Sequence, residues 1–131
     1  MKALSIRQPW TWLILNGIKD IENRNWKTNH RGNLIIHASK LWDQEGYEVI
    51  KNKLADWEND VLPEKEDYER GYLLGMVEMT DCVDHHPSKW FFGPWGFIFE
   101  NPEMWQDPIP YRGQLGLFNV PNRILRDIPI H

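Results

Sequence analysis

The sequence predicts a mixed α+β domain, five to six short strands flanked by two helices and forming a small barrel or closed sheet. Three observations carry that expectation. The chain has 131 residues, a length suited to one domain spanning 1–131. Short alternating or branched apolar runs recur between turn signals, as strands do. Helical periodicity is confined to two stretches, the first lying between strands. Apolar residues make up 41% of the chain and aromatics 13%, with eight tryptophans, enough to build a core and leave aromatic faces over for a groove.

Taken in order, Ala3 to Ile6 alternate and are bounded by Gln8-Pro9, predicting a strand that ends at Arg7. Proline suits a helix start, and Trp10 to Leu15 form an apolar helix stopped by Asn16-Gly17. In an extended segment Glu22, Arg24 and Trp26 share one face. After turn signals at 28–32, Asn33 to Ala38 read as a buried strand, with Ser39 as an N-cap-like hydroxyl where it ends. Residues 43–59 read as one helix with Tyr47, Ile50, Leu54 and Trp57 in an apolar stripe, and 60–70 as an exposed loop. Tyr72 to Val83 predict a long strand in which Gly75 marks a bulge or a close backbone approach. A strand from Trp95 to Glu100 is ended by Asn101-Pro102. Strands at 109–112 and 115–120 and a short turn or helix after Pro121 complete the pattern.

The net charge is −4, which excludes a protein that coats nucleic acid indiscriminately. Yet residues 1–40 carry seven Lys/Arg against two acids, while 41–84 carry four against thirteen. A basic N-terminal third suits an anionic ligand, and the acidic middle reads as solvated helix faces. No apolar run approaches the ~20 residues of a membrane span, and the N-terminus opens on a strand pattern rather than a signal segment, so a soluble, unprocessed protein is expected. The single cysteine, Cys82, fits a reducing, cytoplasmic compartment. His85-His86 lacks a third ligand at useful spacing, and neither a metal nor a cofactor is expected.

The densest chemistry lies in residues 17–24. Lys19 desolvated beside Arg24 would be pushed toward a neutral base or nucleophile, Glu22 would shuttle a proton, and Arg24 would fork onto a phosphate or carboxylate. The plain alternative is a Glu22–Arg24 surface ion pair with a solvated Lys19. His37, Ser39 and Lys40, at the end of a buried strand, can reach the same groove, where a histidine–lysine pair suits RNA cleavage without metal. Trp10, Trp26, Trp90, Phe92 and Trp95 offer faces for stacking an unpaired base. Arg7 and Gln8 stand at a strand end, placed for phosphate and base-edge contacts.

Several of these motifs, in this order, resemble the ASCH domain. They are Leu4-Ser5-Ile6-Arg7-Gln8-Pro9-Trp10, the G-x-K-x-x-E-x-R of Gly17, Lys19, Glu22 and Arg24, then Trp26, Arg31-Gly32, Ile36-His37-Ala38-Ser39, Gly71 to Gly75 with Val77, and Asp81-Cys82. The resemblance spans almost the whole chain. It implies a PUA-like β-barrel flanked by short helices, with a groove facing the G-x-K-x-x-E-x-R segment and a role in binding RNA or other nucleic acid. Some small bacterial members resemble hydrolases of acylated cytidine nucleosides or of RNA. The acylcytidine enzymes have a threonine where this chain has Glu22, and a later helical glutamate where this chain offers only Asp81 and Asp84. The expected function is therefore a binding module for single-stranded RNA or a nucleotide-like ligand. The alternative is a small metal-independent ribonuclease or nucleoside amidohydrolase using Lys19 and Glu22. A third reading, a protein adaptor, would use the acidic middle.

Overall fold

The computed structural model describes residues 1–126 and residue 128. The elements run β1 (Lys2–Gln8), α1 (Trp10–Leu15), β2 (Ile21–Arg24), β3 (Gly32–Trp42), α2 (Gln44–Lys53), α3 (Asp56–Asn59), β4 (Tyr72–Val83), β5 (Trp95–Pro110) and β6 (Leu117–Asn119), with 3-10 turns at Lys65–Asp67 and Asn122–Ile124. The strands form one mixed sheet of six in the order β2-β5-β4-β3-β1-β6. β1 runs parallel to β3, and every other pairing is antiparallel.

The unbroken apolar run of β3 has a simple cause: both of its faces are covered. Alternation sends Leu34, Ile36 and Ala38 into a core with Leu4, Ile6, Ile14, Leu15 and Phe97, and sends Ile35 into a second with Ala3, Leu73, Trp105 and Phe118. A third cluster, Leu13, Ile21, Ile50, Leu54 and Trp90, seats α2 against α1. The β2 and β6 edges are not paired with each other among the described residues. The sheet nevertheless curls. Arg24 of β2 donates from Nη2 to the Ser5 carbonyl of β1 at 2.9 Å, although four strand spacings, about 19 Å in a flat sheet, separate those strands. No helix of the described residues is long and apolar enough to cross a membrane.

The structure departs from the sequence pattern at several places, and the strands expected at 109–112 and 115–120 are the end of β5 and the shorter β6. β3 continues to Trp42, so Ser39 lies within the strand, its hydroxyl accepting from Leu41 N. The helix N-cap is Asp43, whose carboxylate accepts from Gly46 N. The helix expected over 43–59 breaks at Leu54 and Ala55, both extended, and the turn in the chain leaves Trp57 70% exposed. Asn101-Pro102 does not end a strand. It forms a bulge inside β5, with Asn101 at φ 51° and the register with β4 slipping between Glu100 and Glu103; a bulge leaves one residue unpaired, which suits a proline without an N–H. At Gly75 the expectation holds: the backbone makes a close approach, because a Cβ there would fall on the Glu103 carbonyl oxygen.

Candidate functional site

The end of α1 sets the site's depth. Gly17 takes φ 74°, open to glycine at little cost, and the amides of Ile18 and Lys19 both donate to the Leu13 carbonyl, folding the chain back beneath the helix. Lys19 is thereby almost fully buried, at 2% exposure. β2 then pairs with β5 at Glu22↔Phe97 and Arg24↔Trp95, and the two-residue period puts Glu22 and Arg24 on one face. Lys19 Nζ donates to Glu22 Oε1 at 3.0 Å, Arg24 Nη2 donates to Glu22 Oε2 at 3.0 Å, and Nζ stands 4.7 Å from the centre of the Trp10 ring. Burial alone would raise the Glu22 carboxyl, but the charges and hydrogen bonds of Lys19 and Arg24 outweigh it and hold the group below its ordinary value. A buried carboxylate with both oxygens engaged by cations stays ionised, and its partners stay fixed.

Above this floor opens a cleft of about 1570 Å³. Arg7, Lys40, Arg70 and Arg112 line it together with Lys19 and Arg24, against two acids, Glu22 and Asp43. Asp43 is itself occupied, accepting from Trp10 Nε1 at 2.8 Å and from Gly46 N at 2.9 Å. Among the described residues no carboxylate lies in ion-pair range of Arg7, Lys40, Arg70 or Arg112.

His37 also lines the cleft but is 1% exposed. Its Nε2 is 2.7 Å from the Tyr111 carbonyl, which can only accept, so Nε2 carries the proton and Nδ1 accepts from the Ser5 hydroxyl at 2.9 Å. Burial lowers its basicity, partly offset by the bond to Tyr111, so the ring is a neutral clamp between β1, β3 and the chain after β5.

Of the residues expected at a site, the fold brings Arg7, Trp10, Lys19, Glu22, Arg24, His37, Ser39 and Lys40 to this one cleft. Gln8 is elsewhere: it is 1% exposed, its Nε2 donates to the Glu69 carbonyl and its Oε1 accepts from Trp12 N, so it fastens α1. Trp26 falls beyond the end of β2 and packs edge-on against Phe97, with ring centres 5.1 Å apart. Lys19 is not solvated, as a plain surface pair would have it, but lies beneath the cleft. Arg70, Tyr72, Tyr111 and Arg112 were not anticipated. The signal for them lies in strand register, because Tyr72 pairs with Pro110 and so sets the residues flanking those two strand ends side by side.

A family model described as ASCH domain matches residues 4–119. The chain is 32% identical over 138 residues to activating signal cointegrator 1 of Homo sapiens and 30% identical over 140 residues to that of Mus musculus. Each match covers 93% of this chain and 22% of the relative, so the chain spans about a fifth of the length of these relatives. Among solved structures it is similar to the ZmASCH protein from Zymomonas mobilis, in a serine-to-alanine mutant, with a TM-score of 0.58 over 97% of this chain and 92% of that one at 11% identity. At that identity the likeness shows the fold alone.

Proposed function

From the premise that this chain belongs to the ASCH domain family, we propose that its cleft binds nucleic acid, as single-stranded RNA or a nucleotide-like ligand. The observation that carries the reading is the charge of the cleft. Six cations and two already engaged carboxylates line one opening of a chain whose net charge is −4. Arg24 and the ion-paired Lys19 form a fixed floor, and Arg7, Lys40, Arg70 and Arg112, free of carboxylate partners among the described residues, supply the phosphate contacts. Fluorescence anisotropy with a labelled single-stranded RNA tests this. Affinity should fall steeply with salt and should drop by at least about tenfold when Arg70→Gln and Arg112→Gln are combined. Binding that ignores both salt and these substitutions would defeat the proposal.

The hydrolytic alternative rests on one observation, a lysine buried in the cleft 3.0 Å from a carboxylate. There the Lys19 ammonium already donates to Glu22, so it would act by stabilising negative charge unless it first released a proton. That weighs toward binding. Metal-free incubation with labelled RNA and with an acylated nucleoside decides the matter, since turnover no greater than that of a Lys19→Ala control removes the alternative.

A further inference from the structure

The lip of the cleft carries a pattern that its cations do not explain. Among the described residues seven large apolar side chains are exposed, and three of them, Leu41, Phe92 and Leu115, stand on this one opening. A solitary exposed leucine is ordinary, but three around a single polar cleft are not a scatter. Cations line the same opening: Lys40 and Arg112 stand on it with Leu41 and Leu115, and Lys53 Nζ lies 5.1 Å from the Phe92 ring.

Leu115 is the extreme case at 99% exposure, and the chain leading to it is held rather than loose. Tyr111 N donates to the Gly71 carbonyl at 3.1 Å, its carbonyl accepts from His37, and its ring stacks on Phe118 at 6.1 Å. Gly113 lies so close over Ser5 and His37 that a Cβ would press on both, and Gly116 turns the chain at φ 64°. The anchored chain thus presents an apolar tip toward the ligand's space.

We propose that Leu41, Phe92 and Leu115 are base-holding positions, and that the ligand is a single-stranded polynucleotide several residues long rather than one nucleotide. This rests on the nucleic-acid reading of the cleft. A polynucleotide alternates charged phosphates with flat apolar bases, and an opening lined by both cations and exposed apolar groups suits both. Apolar side chains at such positions pack against or between unstacked bases.

The test compares a single-stranded RNA of about 12 nucleotides with a 5′-mononucleotide and an acidic amphipathic peptide. Each is titrated against the wild-type chain and the triple variant Leu41→Ser, Phe92→Ser, Leu115→Ser, whose exposed positions leave the core intact. The RNA is expected to bind at least about tenfold more tightly than the mononucleotide. The triple variant should lose about tenfold of RNA affinity, a larger fold than it loses for the mononucleotide, which carries a single base. Equal affinity for RNA and mononucleotide, or an unchanged triple variant, overturns the inference; the cleft reading then survives only if Arg7→Gln with Arg70→Gln still weakens binding. Tighter binding of the peptide, lost in the triple variant, overturns it in favour of a protein ligand. No binding of either nucleotide probe to the wild type overturns both.

Discussion

At the level of single residues, Lys19, Glu22 and Arg24 form an ion network whose part in stability experiment can measure. Removing one member of a buried ion pair leaves its partner's charge uncompensated, whereas replacing both with apolar groups of similar size often costs little. Glu22→Ala should therefore destabilise by about 3 kcal/mol in urea unfolding, and Lys19→Met combined with Glu22→Leu by clearly less than the two single changes summed. The pH dependence has a definite sign. Glu22 is held below its ordinary 4.5, so its contribution is complete above that value and is lost as pH falls through the lower folded value. His37, buried and neutral, is held below 6.5, so stability should already begin to fall as the pH drops past 6.5 and continue through its folded value. His37→Gln, whose amide can still donate to Tyr111, should flatten that upper step while leaving the lower one. Unfolding midpoints measured from pH 8 to pH 3 check both, and a midpoint flat from 7 to 5 in the wild type would contradict the His37 assignment.

At the level of elements, what the sequence disclosed and what it concealed follow from how local the causes were. β4 matches its expected span of Tyr72–Val83, because its branched and apolar residues and its flanking glycine all lie within that one segment. Gly75 was legible for the same reason, and it now carries a sharp expectation. The missing side chain lets Glu103 approach, so Gly75→Ala forces backbone apart and should cost about 1–3 kcal/mol, read as a lower urea midpoint. A midpoint within error of wild type would mean that β5 yields freely there. β5 was misread because Asn101-Pro102 carries a true stop signal locally, while the ladder on both sides, set by β4, carries the strand through it as a bulge. The break at Leu54 was hidden because the stripe of Tyr47, Ile50 and Leu54 continues in sequence to Trp57, and only the turn of the chain shows that Trp57 leaves the core. The site divides in the same way. Lys19, Glu22 and Arg24 are close in sequence and their spacing exposed them, whereas Arg70 and Arg112 meet only through the register of β4 with β5.

At the level of the whole molecule, the question is how a chain of net charge −4 attracts an anion at all. Exposed charges more than a Debye length apart, about 8 Å at physiological ionic strength, are largely screened from one another. The acids of α2, α3 and the chain that follows them should therefore act on a ligand in the cleft mainly through the long-range field that governs encounter, and the lining arginines mainly through contact. The two groups then have separable signatures. Neutralising Asp56, Asp60 and Glu64 as Asn, Asn and Gln should raise the association rate for single-stranded RNA at low salt by a few-fold, while leaving the dissociation rate and the affinity at high salt unchanged. Neutralising Arg70 and Arg112 should instead speed dissociation and make the slope of log affinity against log salt shallower by about 1.4, near 0.7 for each lost phosphate contact to a single strand. Stopped-flow binding across a salt series measures both. If the acidic substitutions left the association rate at low salt unchanged, the acidic middle would play no part in the encounter. If they changed only the encounter rate, the fold would have confined a positive contact surface within a negative protein, making recognition local to the cleft while like charge elsewhere discourages indiscriminate binding along a strand.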